Sequence, residues 1–334
     1  MRTFFLERLR VIFKSIGKLE LKVIDKLVLI NNSKNKGSTI KDSHFIELEE
    51  KLNKSQNIPK KLVIVICFFF NPKKISIFEK TLMNLSLYKF KKEIIILTNN
   101  LDDLQRKKIK NIIRKKIRNY SIEEIEDLPE NNLLPWYSLN IMRKKIKDKK
   151  NSHFMFIEDD IIVNTSNIKY WIYFRKILKK YNLIPGFVRY EIFKKRKISV
   201  DNREKINLKN LPTISTKTKE NGFVNSKYPY HAMYLMDREM MEEYLLSNST
   251  SLDFSFSNKF MKSNYPIKEL ANISYAYLNI PQGYHNKLMI PYDKNKKILS
   301  CCQILHNENK YTNFVRMKKI GFGTIYLDNF FKKF

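Results

Sequence analysis

Residues 62–72 read LVIVICFFFNP, and this stretch decides the fold. Its first nine residues are all apolar and rich in β-branched and aromatic side chains, which is typical of a strand buried in a parallel sheet. Asn71 and Pro72 then end the strand, because proline has no N–H to donate to a neighbouring strand. We therefore expect a buried parallel strand here, followed directly by a loop.

The segments after this strand alternate between helical and strand patterns. A helix is predicted from Ile75 to about Tyr88, a strand in EIIILTNN, a basic helix from Asp102 to about Arg118, a short strand from Tyr120 to Ile125, a helix from about Trp136 to Ile146, and a strand in HFMFIEDDIIV. Such alternation predicts an α/β fold with a mostly parallel central sheet flanked by helices. Beyond Tyr181 the pattern changes to shorter strands, such as IPGFVRYEI and YHAMYLM, and loops.

The N-terminal region has a different pattern. From Phe5 to Ile30 apolar residues recur every three or four positions with Arg and Lys between them, which predicts a basic amphipathic helix. Two interpretations stay open: the helix docks on an anionic membrane surface, or it packs on the protein's own domain. The polar stretch from Asn31 to Lys60 is interpreted as a linker with one short helix around Ile46 to Leu52.

Composition narrows the class of protein. With 334 residues, of which 43% are hydrophobic, the chain can bury one large core or a core with a smaller lobe. The net charge of +31 comes mostly from Lys, and we interpret this excess as codon bias in an AT-rich genome. The alternative interpretation is electrostatic: because the Lys are scattered and no nucleic-acid-binding motif accompanies them, anionic lipid or lipid-linked phosphate would be favoured over nucleic acid as a partner. Cys67, Cys301 and Cys302 show no metal-binding spacing, and no stretch has the length and hydropathy of a membrane span or signal peptide.

Three consecutive carboxylates, Glu158, Asp159 and Asp160, end an otherwise apolar strand. Clustered carboxylates repel one another unless a cation neutralises them, and oxygen ligands suit Mg²⁺ or Mn²⁺. The chain has only seven glycines and no glycine-rich phosphate-binding motif, so a bound diphosphate would need another counter-charge, such as this cation. The alternative interpretation is a solvated acidic loop.

At this point the sequence resembles the GT-A glycosyltransferases, and FIEDDIIV is similar to their DXD-like metal motif, although EDD is not a strict DXD. The segments YWIYFRKIL, LIPGFVRYEI, MYLMDREMMEEYL and FGTIYLDNFF resemble a bacterial group within this superfamily that is similar to glycosyltransferase family 2. The resemblance covers about Leu62 to the end of the chain. It implies a GT-A fold for residues 59–334, with a nucleotide-sugar half at 59–182 and an acceptor half at 183–334, preceded by an N-terminal helix and linker at 1–58.

The resemblance also implies roles for individual residues. Asn71 and its neighbours would bind the donor, and Glu158 is a further candidate for donor or acceptor binding. Because strand side chains alternate, Glu158 and Asp160 would point to one side and Asp159 to the other, which leaves one carboxylate for the nucleoside and the others for the metal. Asp159 and Asp160 would hold Mn²⁺ or Mg²⁺, and His306, which follows the apolar segment ILSCCQIL, would be a third ligand. An ordinary hydrogen-bonded histidine is the alternative for His306.

Further polar residues are candidates for the cleft. Arg189 and Glu191 lie two apart on a predicted strand, so both could face the cleft, one toward phosphate and one toward an acceptor hydroxyl, or they could form a surface ion pair. Tyr230 and His231 are candidate acceptor contacts, with a core role as the alternative.

An inverting transfer would need a carboxylate base near the acceptor. The candidates are Glu269 and Asp237, and we favour Glu269 because Asp237 is well placed to cap the helix that follows it.

The expected function is therefore a metal-dependent glycosyltransferase that moves a sugar from a nucleotide-diphosphate sugar to a glycan or lipid-linked acceptor, in surface polysaccharide synthesis. The expected location is the cytoplasm or the inner face of the membrane. Two other classes stay open: a metal-dependent nucleotidyltransferase or phosphohydrolase, and a non-catalytic basic protein that binds membrane or nucleic acid.

Overall fold

The computed structural model describes residues 39–54, 57–128, 130, 133–202, 204–226, 228–253, 265–313 and 323–332. The predicted N-terminal amphipathic helix lies outside these residues. The strands in this part of the chain are β1 (Thr39–Ile40), β2 (Leu62–Cys67), β3 (Lys92–Asn99), β4 (Tyr120–Ile125), β5 (His153–Glu158), β6 (Ile161–Ile162), β7 (Ile184–Pro185), β8 (Val188–Phe193), β9 (Arg196–Ser199), β10 (Thr213–Thr216), β11 (Gly222–Asn225), β12 (Met233–Asp237), β13 (Leu288–Tyr292), β14 (Gln303–His306) and β15 (Ile325–Tyr326). The α-helices are α1 (Ser43–Ile46), α2 (Leu48–Asn53), α3 (Ile75–Ser86), α4 (Asp103–Lys116), α5 (Leu134–Lys145), α6 (Thr165–Leu178), α7 (Arg238–Leu246), α8 (Ile267–Ile273) and α9 (Lys310–Asn313).

A central five-stranded sheet has the order β12-β5-β2-β3-β4. Strands β5, β2, β3 and β4 run parallel, and β12 pairs antiparallel with β5 at the edge. Every side chain from Leu62 to Ile66 in β2 is fully buried, as expected for an apolar strand inside a parallel sheet. The predicted mixed α/β architecture with a mostly parallel central sheet is confirmed.

The helices between these strands follow the sequence pattern closely. Helix α4 begins with a capping box in which Asp102 and Gln105 exchange side-chain and backbone hydrogen bonds, and it ends in a basic last turn. Helix α5 packs on β2 and β3, while α3 packs against α4. Helix α6 packs against β7 and α2, and its Tyr170, Trp171 and Phe174 are buried.

Two smaller sheets form the rest of the described fold. Their strand orders are β1-β10-β11-β13-β7 and β15-β9-β8-β14-β6, and both mix parallel and antiparallel pairs. The strands predicted in IPGFVRYEI appear as β7 and β8. The strand predicted in YHAMYLM appears as β12, which joins the central sheet instead.

Part of the predicted linker is folded. Strand β1 pairs with β10, and Leu52 in α2 is buried. Phe45 also packs against the rings of Phe174 and Phe223 at centroid distances of 5.4 and 5.6 Å. These contacts attach residues 39–53 to the described fold, and the short helix predicted around Ile46 to Leu52 appears as α2. The division into domains stays a prediction.

A membrane-spanning helix would need about 20 apolar residues. No helix in the described ranges has that length and hydropathy.

Candidate metal centre

The acidic residues lie where the order of the central sheet reverses. After β2 the chain places β3 and β4 on one side of β2, then returns to place β5 on the other side. Cys67 at the end of β2 is therefore opposite Glu158 at the end of β5. Open α/β sheets bind their ligands at the carboxyl edge beside such a reversal, so the topology directs attention to this edge.

Asp159 and Asp160 form the turn through which the chain leaves the central sheet. β5 ends at Glu158 and β6 begins at Ile161, in a different sheet. The hydroxyl of Thr81 donates to the Asp159 carbonyl at 2.7 Å, and the Asn307 N–H donates to the Asp160 carbonyl at 2.8 Å. Both backbone carbonyls of the turn are thus satisfied, which fixes where its carboxylates lie.

The pairing of β6 with β14 brings a distant segment to this turn. His306, at the end of β14, pairs with Ile161. As a result Asp160, His306 and Glu308 each offer a ligand atom within 4.8 Å of the other two. The side chains of Asp160 and His306 are buried, with 1% and 0% exposed, whereas Glu308 is partly exposed.

These three side chains, which we call the metal group, fit a divalent cation. His306 Nε2 lies 3.3 Å from Asp160 Oδ2, close to the spacing of about 3 Å between adjacent ligands of a six-coordinate ion with bonds of about 2.1 Å. Within the described residues neither His306 Nε2 nor Asp160 Oδ1 has a hydrogen-bond partner. Buried polar atoms without partners are costly, and a bound cation would satisfy both.

Glu191 holds His306 in place. Its Oε1 accepts a hydrogen bond from His306 Nδ1 at 2.6 Å and from the Tyr311 N–H at 3.1 Å, and its Oε2 accepts from the Thr312 N–H at 2.7 Å. In the neutral imidazole, donation from Nδ1 leaves Nε2 with the lone pair that metal ligation requires. Burial by itself would lower the pKa of His306, but its contacts with Asp160 and Glu191 outweigh burial and raise that pKa, so a cation would displace a proton from Nε2. Through its hydrogen bonds the fully buried Glu191 orients the His306 ring. The predicted contact of Glu191 with an acceptor hydroxyl stays a prediction.

Two lysines neutralise part of the acidic charge. Lys74 Nζ lies 3.8 Å from Asp159 Oδ1, 3.9 Å from Asp160 Oδ2 and 3.4 Å from Glu308 Oε2. Lys310 Nζ lies 3.0 Å from the same Glu308 oxygen. The centre therefore combines closely spaced carboxylates with flexible ammonium groups that a cation could displace.

The charges in the cluster are unequal. Burial by itself would raise the pKa of Asp160, but the contact with His306 and the charges of Lys310 and Lys74 outweigh it and hold that pKa well below its usual range. The pKa of Asp159 is raised by burial and by the neighbouring Asp160 charge. Without a divalent cation, the two adjacent carboxylates do not ionise equally.

Glu158 accepts hydrogen bonds from two polar side chains that are not part of the metal group. The Tyr230 hydroxyl donates to its Oε1 at 2.7 Å, and the Asn272 amide donates to the same oxygen at 3.4 Å. Asn272 belongs to α8, as does Glu269 in its first turn. Burial, followed by the charge of Glu158, raises the pKa of Glu269 to about 7. A carboxylate with this pKa is suited to accept a proton near neutral pH, and the role of Glu269 as catalytic base stays a prediction.

Arg189 is buried and forms an ion pair with Asp201. It is 2% exposed, and its guanidinium makes two hydrogen bonds to the Asp201 carboxylate at 3.2 and 2.5 Å. The rings of Tyr230 and Tyr311 lie 5.1 and 5.6 Å from the guanidinium carbon. This contradicts the alternative of a surface ion pair with Glu191. A direct contact between Arg189 and phosphate stays a prediction.

The remaining predicted contacts differ in exposure. Asn71 is exposed in the loop after β2, and its side chain accepts a hydrogen bond from the Lys73 N–H at 3.0 Å.

His231 is 3% exposed, and both of its ring nitrogens are without a hydrogen-bond partner in the described structure. Burial and the charge of Arg189 lower the pKa of His231 to about 3. This histidine is therefore neutral and inside the core, as the alternative interpretation held.

Asp237 is not near the metal group. It is opposite His153 at the start of β5, five residues from Glu158 at the other end of that strand. Five residues of strand span about 16 Å. Asp237 instead caps α7 by accepting from the Met240 N–H at 2.8 Å, and it pairs with Arg175 at 2.8 Å. Its candidacy as the catalytic base is therefore corrected to a structural role.

The sequence interpretation did not include Glu308 or Lys74. Glu308 lies two residues after His306 in HNENK. An acidic residue so close to a predicted histidine ligand was the sequence signal that could have identified Glu308 as a further ligand. The group that the structure assembles contains Glu308 but not Asp159, whose role as a ligand stays a prediction. Asp159 is adjacent and contacts Lys74.

The sequence matches no protein-family model, and no curated protein is significantly similar to it.

Proposed function

We propose that this protein is a metal-dependent glycosyltransferase of the GT-A type, which moves a sugar from a nucleotide-diphosphate sugar to a glycan or lipid-linked acceptor. The observation that carries the proposal is the position of the metal group. Asp160, His306 and Glu308 meet at the carboxyl edge of a parallel sheet, beside the reversal of strand order where nucleotides bind in open α/β folds.

The donor set supports this class of substrate. Mn²⁺ or Mg²⁺ bound there would stabilise the negative charge on the departing diphosphate. The two carboxylate ligands suit either Mn²⁺ or Mg²⁺. The protein's own part is to position the ligands: Asp160 on the turn after β5, and His306 through its bond to Glu191.

Glu269 is the proposed base for an inverting transfer. Its carboxylate would take the proton from the acceptor hydroxyl as that oxygen bonds to the anomeric carbon. The bond from this carbon to the diphosphate oxygen breaks at the same time, and its electron pair leaves with the diphosphate. The pKa of about 7 allows Glu269 to be ionised before the step and protonated after it.

Calorimetric titration tests the proposal. The intact protein and its Asp160→Ala variant would be titrated with UDP, GDP and CDP, with and without Mn²⁺, and the exposed Asp253→Ala serves as a matched control. We expect one nucleotide to bind only with Mn²⁺, the Asp160 variant to lose this binding, and the control to keep it.

The products separate the alternatives. Incubation with the corresponding nucleotide sugar and an acceptor mixture should release nucleoside diphosphate and extend the acceptor. Release of pyrophosphate or phosphate without sugar transfer would instead indicate a nucleotidyltransferase or phosphohydrolase. If no nucleotide binds under any condition, while polyanion binding falls steeply with salt, the protein is a non-catalytic basic protein.

A further inference from the structure

The Lys74 ammonium lies among the carboxylates that would bind a metal. Two of its three acidic contacts among the described residues are Asp160 Oδ2 at 3.9 Å and Glu308 Oε2 at 3.4 Å, and both residues belong to the metal group. A divalent cation would bind such oxygens at about 2.1 Å and would repel a positive charge so close by. The ammonium and the cation therefore compete for the same oxygens.

The contacts of Lys74 are loose enough to be exchanged. All three are longer than the roughly 2.8 Å of a charge-assisted hydrogen bond, whereas Lys310 approaches Glu308 to 3.0 Å. The side chain of Lys74 is 27% exposed, so a path to solvent is open. The ammonium is attracted by charge and is not fixed by hydrogen bonds to these carboxylates.

The position of Lys74 in the chain suggests where it would move. It ends the short 3-10 turn Pro72–Lys74, which connects β2 to α3 at the same edge of the sheet. The first turn of α3 has no acidic residue, and the free N–H groups of a helix N-terminus favour anions. A diphosphate bound to a cation at the metal group would lie within reach of this turn.

We propose that the Lys74 ammonium takes the place of the divalent cation in the metal-free protein and moves to the diphosphate of the donor when the cation binds. This inference rests on the proposed function, because it assumes the metal group and a diphosphate ligand. It couples the two ligands: the cation alone must displace the ammonium, whereas the cation with a diphosphate gives the ammonium a new partner. Lys74 would thus favour binding of the metal and donor together.

Titration with Mn²⁺ alone tests the first step. Metal-free intact protein would be titrated with Mn²⁺, and free Mn²⁺ followed by electron paramagnetic resonance, for wild type, Lys74→Met and Lys74→Gln. The adjacent exposed Lys73→Met is the matched control. Both Lys74 variants should bind Mn²⁺ about tenfold more tightly, because a competing positive charge is removed, and the control should match wild type.

Calorimetric titration with the manganese complex of inorganic pyrophosphate tests the second step. Both Lys74 variants should bind this complex about tenfold more weakly, because a cation that contacts phosphate is lost. Unchanged or weaker Mn²⁺ binding in the Lys74 variants overturns the inference. Tighter Mn²⁺ binding with unchanged pyrophosphate binding overturns the movement to the diphosphate.

The same data separate this inference from the proposed function. If the Lys74 effects occur but no nucleotide sugar is used, the inference holds and the glycosyltransferase proposal fails. If neither wild type nor the Lys74 variants bind Mn²⁺, the metal group and the inference both fail. Two substitutions of Lys74 are used so that the test still stands if one variant misfolds, because Gln keeps polar atoms that Met lacks. Thermal unfolding of each variant checks that it is folded.

Discussion

Replacing Glu191 with Gln is expected to weaken cation binding without removing a proposed metal ligand. The Glu191 carboxylate is fully buried and accepts three hydrogen bonds, from His306 Nδ1 and from the N–H groups of Tyr311 and Thr312. A Gln amide has one accepting oxygen, and its NH₂ group would face at least one of these donors. The variant therefore loses a hydrogen bond and the negative charge that orients the imidazole.

The size of the effect follows from these contacts. A hydrogen bond to a charged group contributes about 1.5–3 kcal/mol, so the free energy of unfolding should fall by about 2 kcal/mol. Loss of a residue that orients a metal ligand typically reduces metal affinity about 10–100-fold. We therefore expect the Kd of Glu191→Gln for Mn²⁺ to rise by about that factor.

The assay is titration of metal-free protein with Mn²⁺ at pH 7, with Glu49→Gln as the control because Glu49 is an exposed carboxylate on α2. Chemical denaturation of the same variants gives the change in stability. If Glu191→Gln folds and binds Mn²⁺ as tightly as wild type, then Glu191 does not position a metal ligand, and the inference that its hydrogen bond to His306 supports cation binding is refuted.

Three further predictions concern stability. Arg189→Met should lower the free energy of unfolding by about 3–5 kcal/mol in denaturant titrations, because it leaves the Asp201 carboxylate buried and unpaired; a change below 1 kcal/mol would argue against a tight pair. Asp237→Ala should cost about 1–2 kcal/mol through loss of a helix cap yet leave Mn²⁺ affinity unchanged, and weakened metal binding would contradict its placement. Burial lowers the pKa of His153 to about 4, so below pH 6.5 the unfolded chain takes up a proton that the folded protein does not, and stability falls. Between pH 7 and pH 5 this histidine should account for about 2 kcal/mol, which His153→Gln should abolish; an identical pH dependence in that variant would refute the cause.

The central sheet could be predicted because its signals are local. The run from Leu62 to Phe70 consists only of apolar residues, and the capping residue Asp102 marks the start of a helix. Both patterns depend on neighbouring residues alone. Asp159 and Asp160 were placed at a strand end for the same reason, and the structure has them in the turn that follows β5.

Exposure and partners could not be predicted in the same way. Arg189 and Glu191 alternate along β8 as a strand requires, but the sequence does not say that Asp201 and His306 are their partners. Asp237 ends a strand just as Glu158 does, yet β12 runs antiparallel to β5, and this direction places it at the opposite edge. Strand direction depends on the path of the chain, which a local pattern does not record.

The sequence by itself determined the α/β class, the main helices and strands of the central sheet, and the acidic strand end, because hydrophobic periodicity and capping act over a few residues. The resemblance already named His306 as a partner of Asp160, but only the tertiary structure decided that Glu308 and Lys74 lie beside them. The pairing of β6 with β14 brings His306 and Glu308 to Asp160, and the turn after β2 brings Lys74 into contact with Asp160 and Glu308. The physical reason is that a metal group depends on distances between side chains far apart in the chain, and the packing of whole sheets sets those distances.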